Sequence, residues 1–142
     1  MIAKYKTEMA DCACGVDARV GDLLGGETEE YRDVRDIDLI TVGAALHHFD
    51  SAEGAIEQLA MRLRAGGVLY VQDILDGGEE GNEARKRPKG YTMEDMRSMM
   101  ERAGLVNVEF EVLVPEMKVE LMSEEVLTVA CFAARGKKLV TM

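Results

Sequence analysis

Ile37-Asp38-Leu39-Ile40-Thr41-Val42, closed by Gly43, is a β-branched apolar run, and Val68-Leu69-Tyr70-Val71-Gln72-Asp73-Ile74 is a second one further along the chain. Near-continuous hydrophobicity of this length marks strands covered on both faces, as in a parallel sheet. Between them, Ala52, Ala55, Ile56, Leu59, Ala60 and Leu63 fall on one stripe of a helix spanning residues 51–64, with Ser51 as its N-cap and Gly66-Gly67 as its stop. Residues 37–74 therefore read as a βαβ unit, two buried parallel strands joined by a crossover that should be right-handed.

Working outward, the amino side places Ile2, Tyr5, Met9, Cys12 and Ala13 at helical spacings with charged residues between them, an amphipathic helix over residues 1–13 that lacks an N-cap residue ahead of it. Ala18-Arg19-Val20 fits only a brief strand before Gly21-Asp22-Leu23-Leu24 and an acidic loop over residues 25–36. On the carboxyl side, a Gly- and charge-rich connection over residues 76–90 contains the basic run Arg85-Lys86-Arg87-Pro88-Lys89, read as a solvated loop. Thr92 and Asp95 form a capping-box pair ahead of a helix whose apolar face is Met93, Met96, Met99, Met100 and Ala103, and Gly104 ends it. A stripe of this kind is core packing rather than a cofactor contact. Two further strands, residues 106–114 and 126–134, suit an antiparallel pair. The expected order is helix, short strand, strand, helix, strand, helix, strand, strand, with no internal repeat.

At 142 residues the chain fits a single domain, residues 1–142, and its 47% hydrophobic and 31% charged composition is that of a globular protein with a core. The formal net charge of -10 repels phosphate backbones and anionic lipid surfaces, which argues against nucleic acid or membrane as partners. Cys12, Cys14 and Cys131 are an odd count without the spacing of redox or zinc motifs, and adjacent His47 and His48 without nearby cysteines make no metal site. No stretch reaches the roughly 18 apolar residues of a membrane span. A reduced, soluble, cytoplasmic protein is expected.

Two segments carry a family resemblance: Asp38-Leu39-Ile40 to Leu46-His47-His48-Phe49, and Leu63-Arg64-Ala65-Gly66-Gly67-Val68-Leu69 to Asp73. They resemble the fourth and fifth strands of class I S-adenosylmethionine-dependent methyltransferases. Gly21-Asp22-Leu23 is similar to the turn after that family's third strand, and residues 91–105 to the helix before its sixth. Cys131-Phe132-Ala133-Ala134-Arg135-Gly136-Lys137 looks like the closing seventh strand, and Met1-Ile2-Ala3-Lys4-Tyr5 like the helix after the second. The layout is most similar to fungal small-molecule methyltransferases. The resemblance implies an α/β, Rossmann-like methyltransferase fold with a mostly parallel sheet and an antiparallel carboxy-terminal strand pair. It also implies S-adenosylmethionine as cofactor and a small-molecule methyl acceptor.

Carried over by position, Asp22 and Leu23 meet the adenine, and Gly43, Ala44 and Ala45 line the methionine end of the cofactor. Glycine and alanine there allow a ligand to approach the backbone closely. His47 and His48 stand just past the carboxyl end of a parallel strand, the edge where ligands collect in open α/β sheets, and are the candidate catalytic bases toward an acceptor hydroxyl. Each candidate has a plainer reading: Asp22 as a turn residue beside Gly21, one histidine packed under the loop and the other solvated, Asp73 capping a loop, Asp38 purely structural.

The sequence departs from the family in one respect. It shows neither a Gly-x-Gly-x-Gly loop after a first strand nor an acid ending a second, and none of Gly25-Gly26, Gly66-Gly67 and Gly77-Gly78 lies between a buried strand and a helix in that order. The expectation is a fold truncated at its amino terminus. The family's strand order, three-two-one-four-five-seven-six, then leaves the fourth strand with an exposed apolar edge, an association hazard met by a homo-oligomer or by a complementing chain. The alternative is a catalytically inactive methyltransferase-like domain that serves interaction or dimerisation.

Overall fold

A computed structural model describes residues 2–10, 14–25, 33–76, 90–120 and 126–140. The basic run 85–89 lies outside the described residues, as do Cys12 and Ala13. The chain divides into two compact units, Met1–Asp33 and Val34–Met142.

In the first unit, α1 is Ile2–Glu8, supported by an exposed Lys4–Glu8 pair at the i,i+4 spacing. Residues 15–22 are irregular, and Val20 is 78% exposed, so the brief strand expected at residues 18–20 does not form. Three residues with one apolar side chain in solvent bury too little to hold a strand. Arg19 organises this segment instead, bonding Asp17 at 3.0 Å and Asp33 at 2.8 Å. Its guanidinium holds both carboxyls below their ordinary range.

The second unit contains β1 (Ile37–Gly43), α2 (Ala52–Arg62), β2 (Leu63–Leu75), α3 (Met93–Arg102), β3 (Leu105–Glu120) and β4 (Val126–Lys138). The sheet order is β1-β2-β4-β3. β1 and β2 are parallel, whereas β4 runs antiparallel to both β2 and β3. The sheet is therefore mixed, with one parallel pair against two antiparallel ones, which corrects the expectation of a mostly parallel sheet. The order β1-β2-β4-β3 is the four-five-seven-six part of the expected family order.

The core lies on one face of this sheet. The β2 side chains Leu69 and Val71 pair in register with Gly136 and Ala134 of β4, and Phe132 follows on the same face. Leu69, Val71 and Phe132 are fully buried, as are Ile56 of α2 and Met96 and Met100 of α3. A Cβ at Gly136 would meet Leu105 and the Met100 sulfur at 3.0–3.3 Å, so glycine lets α3 lie close on β4. Met93, expected on the apolar face of α3, is 45% exposed: it sits in the first turn, beyond the reach of the sheet. The capping box ahead of it is formed in full, with Asp95 N–H donating to Thr92 Oγ1 at 3.1 Å and Thr92 N–H donating to Asp95 Oδ2 at 2.9 Å.

Two expectations change at the α2–β2 junction and one holds. Ser51 does cap α2, accepting the Gly54 N–H at 3.0 Å. The helix, however, ends at Arg62, before the glycine pair. The chain turns extended at Leu63 and enters β2, and Lys138 of β4 donates to the Leu63 carbonyl at 2.8 Å, a cation placed at the negative end of the helix. Gly66-Gly67 instead lies inside β2, where a Cβ at Gly67 would stand 2.7 Å from the Ile37 carbonyl oxygen, so glycine there permits β1 to enter the sheet.

β1 is also less covered than its composition implied. Leu39 is 57% exposed and Asp38, Thr41 and Gly43 are exposed, so this is a half-buried edge strand rather than one covered on both faces. Asp38 forms an exposed ion pair with Arg64 of β2, which supports its structural reading.

Candidate functional site

The carboxyl ends of β1 and β2 converge on a turn. After Gly43 the chain reverses through Ala44, whose φ of 53° lies in the left-handed region that alanine rarely occupies. Such strain persists only where surroundings over-determine it. Here the Ala44 N–H donates to the Gln72 carbonyl at 2.8 Å, tying the turn across the end of β2. A short 3-10 turn, Leu46–His48, follows, anchored by fully buried Leu46.

Asp73 closes this turn from below. Its side chain is fully buried, and three donors satisfy it: the Ile74 N–H at 2.7 Å and the His47 Nδ1 at 2.7 Å on Oδ1, and the His47 N–H at 3.2 Å on Oδ2. The expected loop-capping role of Asp73 is thus present, and the ring contact adds to it. A buried carboxylate is tolerable only when bonded in this way.

The two histidines separate. The His47 side chain is 10% exposed and pinned by Asp73, whereas His48 is exposed and lies against it with ring centroids 4.1 Å apart at 42°. The split agrees with one ring packed under the loop and one solvated.

Two further ionisable groups surround Asp73. Tyr91, 7% exposed, forms a parallel bridge with Leu75 and donates its N–H to the Ile74 carbonyl at 2.9 Å. Burial pushes its phenol up, with Asp73 and then Asp95 adding to the shift. The Cys131 thiol of β4, opposite Ile74, is likewise raised by burial and by Asp73. Sequence reasoning missed this cluster, although a signal was present: Leu69, Val71 and Asp73 alternate on the buried face, so the last places an acid where the pattern calls for an apolar residue.

The remaining candidates fall in both units. Gly43, Ala44 and Ala45 form the turn itself, and a Cβ at Gly43 would meet nothing within 4 Å, which leaves space beside the backbone for a ligand. Asp22 and Leu23 belong to the other unit. Asp22 accepts the Leu24 N–H at 3.1 Å through its carboxylate and the Gly25 N–H at 3.1 Å through its carbonyl, the geometry of a turn residue.

No protein-family profile and no curated protein sequence matches the chain. Solved structures do. A putative methyltransferase of Bacillus halodurans matches at TM-score 0.66 and 13% identity over 98% of this chain and 79% of its own. The N-methyltransferase NodS of Bradyrhizobium japonicum, solved with S-adenosylhomocysteine, matches at TM-score 0.63 and 18% identity over 96% and 61%. An S-adenosylmethionine-dependent methyltransferase of Thermotoga maritima, a possible histamine N-methyltransferase, matches at TM-score 0.51 and 20% identity over 73% and 57%. The fold is that of the S-adenosylmethionine-dependent methyltransferases. The chain spans about three fifths of the length of the last two proteins. Among the described residues, no helix is long and apolar enough to cross a membrane.

Proposed function

We propose that this chain is the carboxy-terminal part of an S-adenosylmethionine-dependent methyltransferase acting on a small-molecule acceptor. One observation carries the reading: in a sheet of methyltransferase order, the first parallel strand ends in an open, strained Gly43-Ala44-Ala45 turn directly beside a buried acid–histidine pair. Ligands of open α/β sheets bind at such carboxyl ends. In this reading Gly43, Ala44 and Ala45 face the methionine end of the cofactor. The cofactor brings an already activated methyl group, so the protein has mainly to hold acceptor and donor in line.

The Gly-rich loop that the family uses to hold the cofactor is not among these 142 residues. We therefore place cofactor affinity in a complementing segment or chain that pairs with the outer edge of β1, which has no strand beside it among the described residues. The alternative, an inactive module that dimerises through that same edge, is favoured by the same observation.

Calorimetric titration with S-adenosylhomocysteine separates the two. Heat saturating at micromolar to millimolar ligand supports the enzyme reading. A concentration-dependent dimer with no ligand heat at millimolar concentration supports the module and sinks an autonomous enzyme.

A further inference from the structure

We propose that Asp73 is a positioning residue that makes His47, and not His48, the base for a methyl acceptor bearing a proton on oxygen or nitrogen. This rests on the methyltransferase reading above and names the acceptor class it would serve.

The argument is one of donors and acceptors. A neutral imidazole carries its proton on one nitrogen and offers a lone pair on the other. Asp73 Oδ1, 2.7 Å from Nδ1, can only accept, so Nδ1 must carry the proton and the lone pair is left on Nε2. Among the described residues, no group hydrogen-bonds Nε2. The carboxylate cannot swing away, because the backbone N–H groups of His47 and Ile74 hold its two oxygens and its surface is wholly buried. The ring cannot rotate freely either, since its own backbone is tied to the same carboxylate. Among the described residues no carboxylate bonds His48, which is exposed, so nothing there selects its tautomer.

A base of this kind is of use only when the acceptor must lose a proton. As the methyl group moves, the acceptor O–H or N–H proton passes to Nε2. The electron pair on the acceptor oxygen or nitrogen forms the new bond to the methyl carbon. The pair of the broken C–S bond remains on sulfur, which becomes a neutral thioether. Asp73 then stabilises the imidazolium without itself taking the proton. Tyr91 and Cys131, the other ionisable groups beside Asp73, are held in their neutral, proton-bearing forms and do not compete as bases.

The test uses the full chain, on its own and with methyl-labelled S-adenosylmethionine. Long-range nitrogen–proton NMR spectra near pH 8.5 should show His47 protonated on Nδ1 and bare on Nε2, with His48 giving the mixed pattern of an exposed ring. In Asp73→Asn only one of the two positions keeps an oxygen; with that oxygen on the His47 N–H, the amide NH2 takes the other position, faces Nδ1 and leaves the Ile74 N–H unpaired, so the proton should move to Nε2. Turnover of a phenol and amine panel should fall in kcat by roughly 10²–10⁴-fold with cofactor KM nearly unchanged. His47→Gln, which leaves Asp73 its backbone donors, should lose kcat similarly if Asp73→Asn fails to fold.

A wild-type His47 protonated on Nε2, or variants that turn over at the wild-type rate, would overturn the proposal. The Nδ1–H tautomer in a chain that neither binds nor uses the cofactor would defeat the reading of this chain as a methyltransferase that works alone, and its acceptor class with it, while upholding the role of Asp73 in setting the ring.

Discussion

β1 and β2 are close to interchangeable as strings of residues, both apolar, β-branched and punctuated by one or two polar positions, yet the structure treats them differently. β2 has β1 on one side and β4 on the other and buries Leu69, Val71 and Asp73 beneath the helices. β1 has a single neighbour among the described residues and leaves Leu39 more than half exposed. The lesson is that apolar composition reports what a strand is able to bury, while its place in the sheet decides what it does bury. For β1 the excess is apolar side-chain surface left uncovered on a face of the sheet.

The sharpest way to break this comparison is to remove one leucine from each strand. Leu69→Ala should cost about 2–5 kcal/mol in denaturant unfolding, because the fully buried side chain leaves a cavity. Leu39→Ala should cost under about 0.5–1 kcal/mol. Equal losses would mean that β1 is covered in solution. Phe132→Ala tests the β4 side of the same core and should cost about 3–5 kcal/mol, since its ring is fully buried and stacks on Phe110 at 4.8 Å.

Smaller effects refine the picture. Thr92→Ala removes one half of the α3 capping box and should lower stability by about 1 kcal/mol. If the proposed module dimerises through β1, Leu39→Lys should reduce that association in sedimentation without changing the melting temperature appreciably, because an edge lysine discourages strand pairing. Retained association would place the interface elsewhere.

pH gives the last test. Tyr91 and Cys131 have pKa values raised in the fold above the ordinary 10.0 and 9.0. Above those ordinary values the unfolded chain sheds protons that the folded chain keeps, so stability is intact below about pH 9 and falls as pH rises through the alkaline range. Tyr91→Phe should flatten the part of that decline above pH 10, read from melting temperatures at matched ionic strength.

Much of the architecture was legible from local pattern. The helical stripe of α2, the Ser51 cap, the Thr92–Asp95 box and the antiparallel β3–β4 pair all depend on neighbours a few residues away, and all are present. The errors share a cause. Gly66-Gly67 read as a helix stop because a glycine pair commonly is one, but the helix ends at Arg62, where the chain turns extended into β2 and its cap carbonyl meets Lys138, 75 residues further along. The glycines serve instead the close approach of Ile37. The strand expected at residues 18–20 had the right residue types and no partner to pair with among those described.

The candidate site divides in the same way. Its position past the carboxyl end of β1, with Gly43, Ala44, Ala45, His47 and His48 in one turn, follows from the sequence, because residues contiguous in a chain are contiguous in a turn. That Asp73 grips His47 rather than His48, across 26 residues, was decided by the parallel register that sets Gly43 beside Gln72 and by the inward phase of β2. Hydrophobic period and capping chemistry are local and can be read along the chain. Register, edge position and the pairing of a buried acid with one of two adjacent rings arise only when distant segments share a sheet, since burial and hydrogen-bond satisfaction are properties of the packed whole.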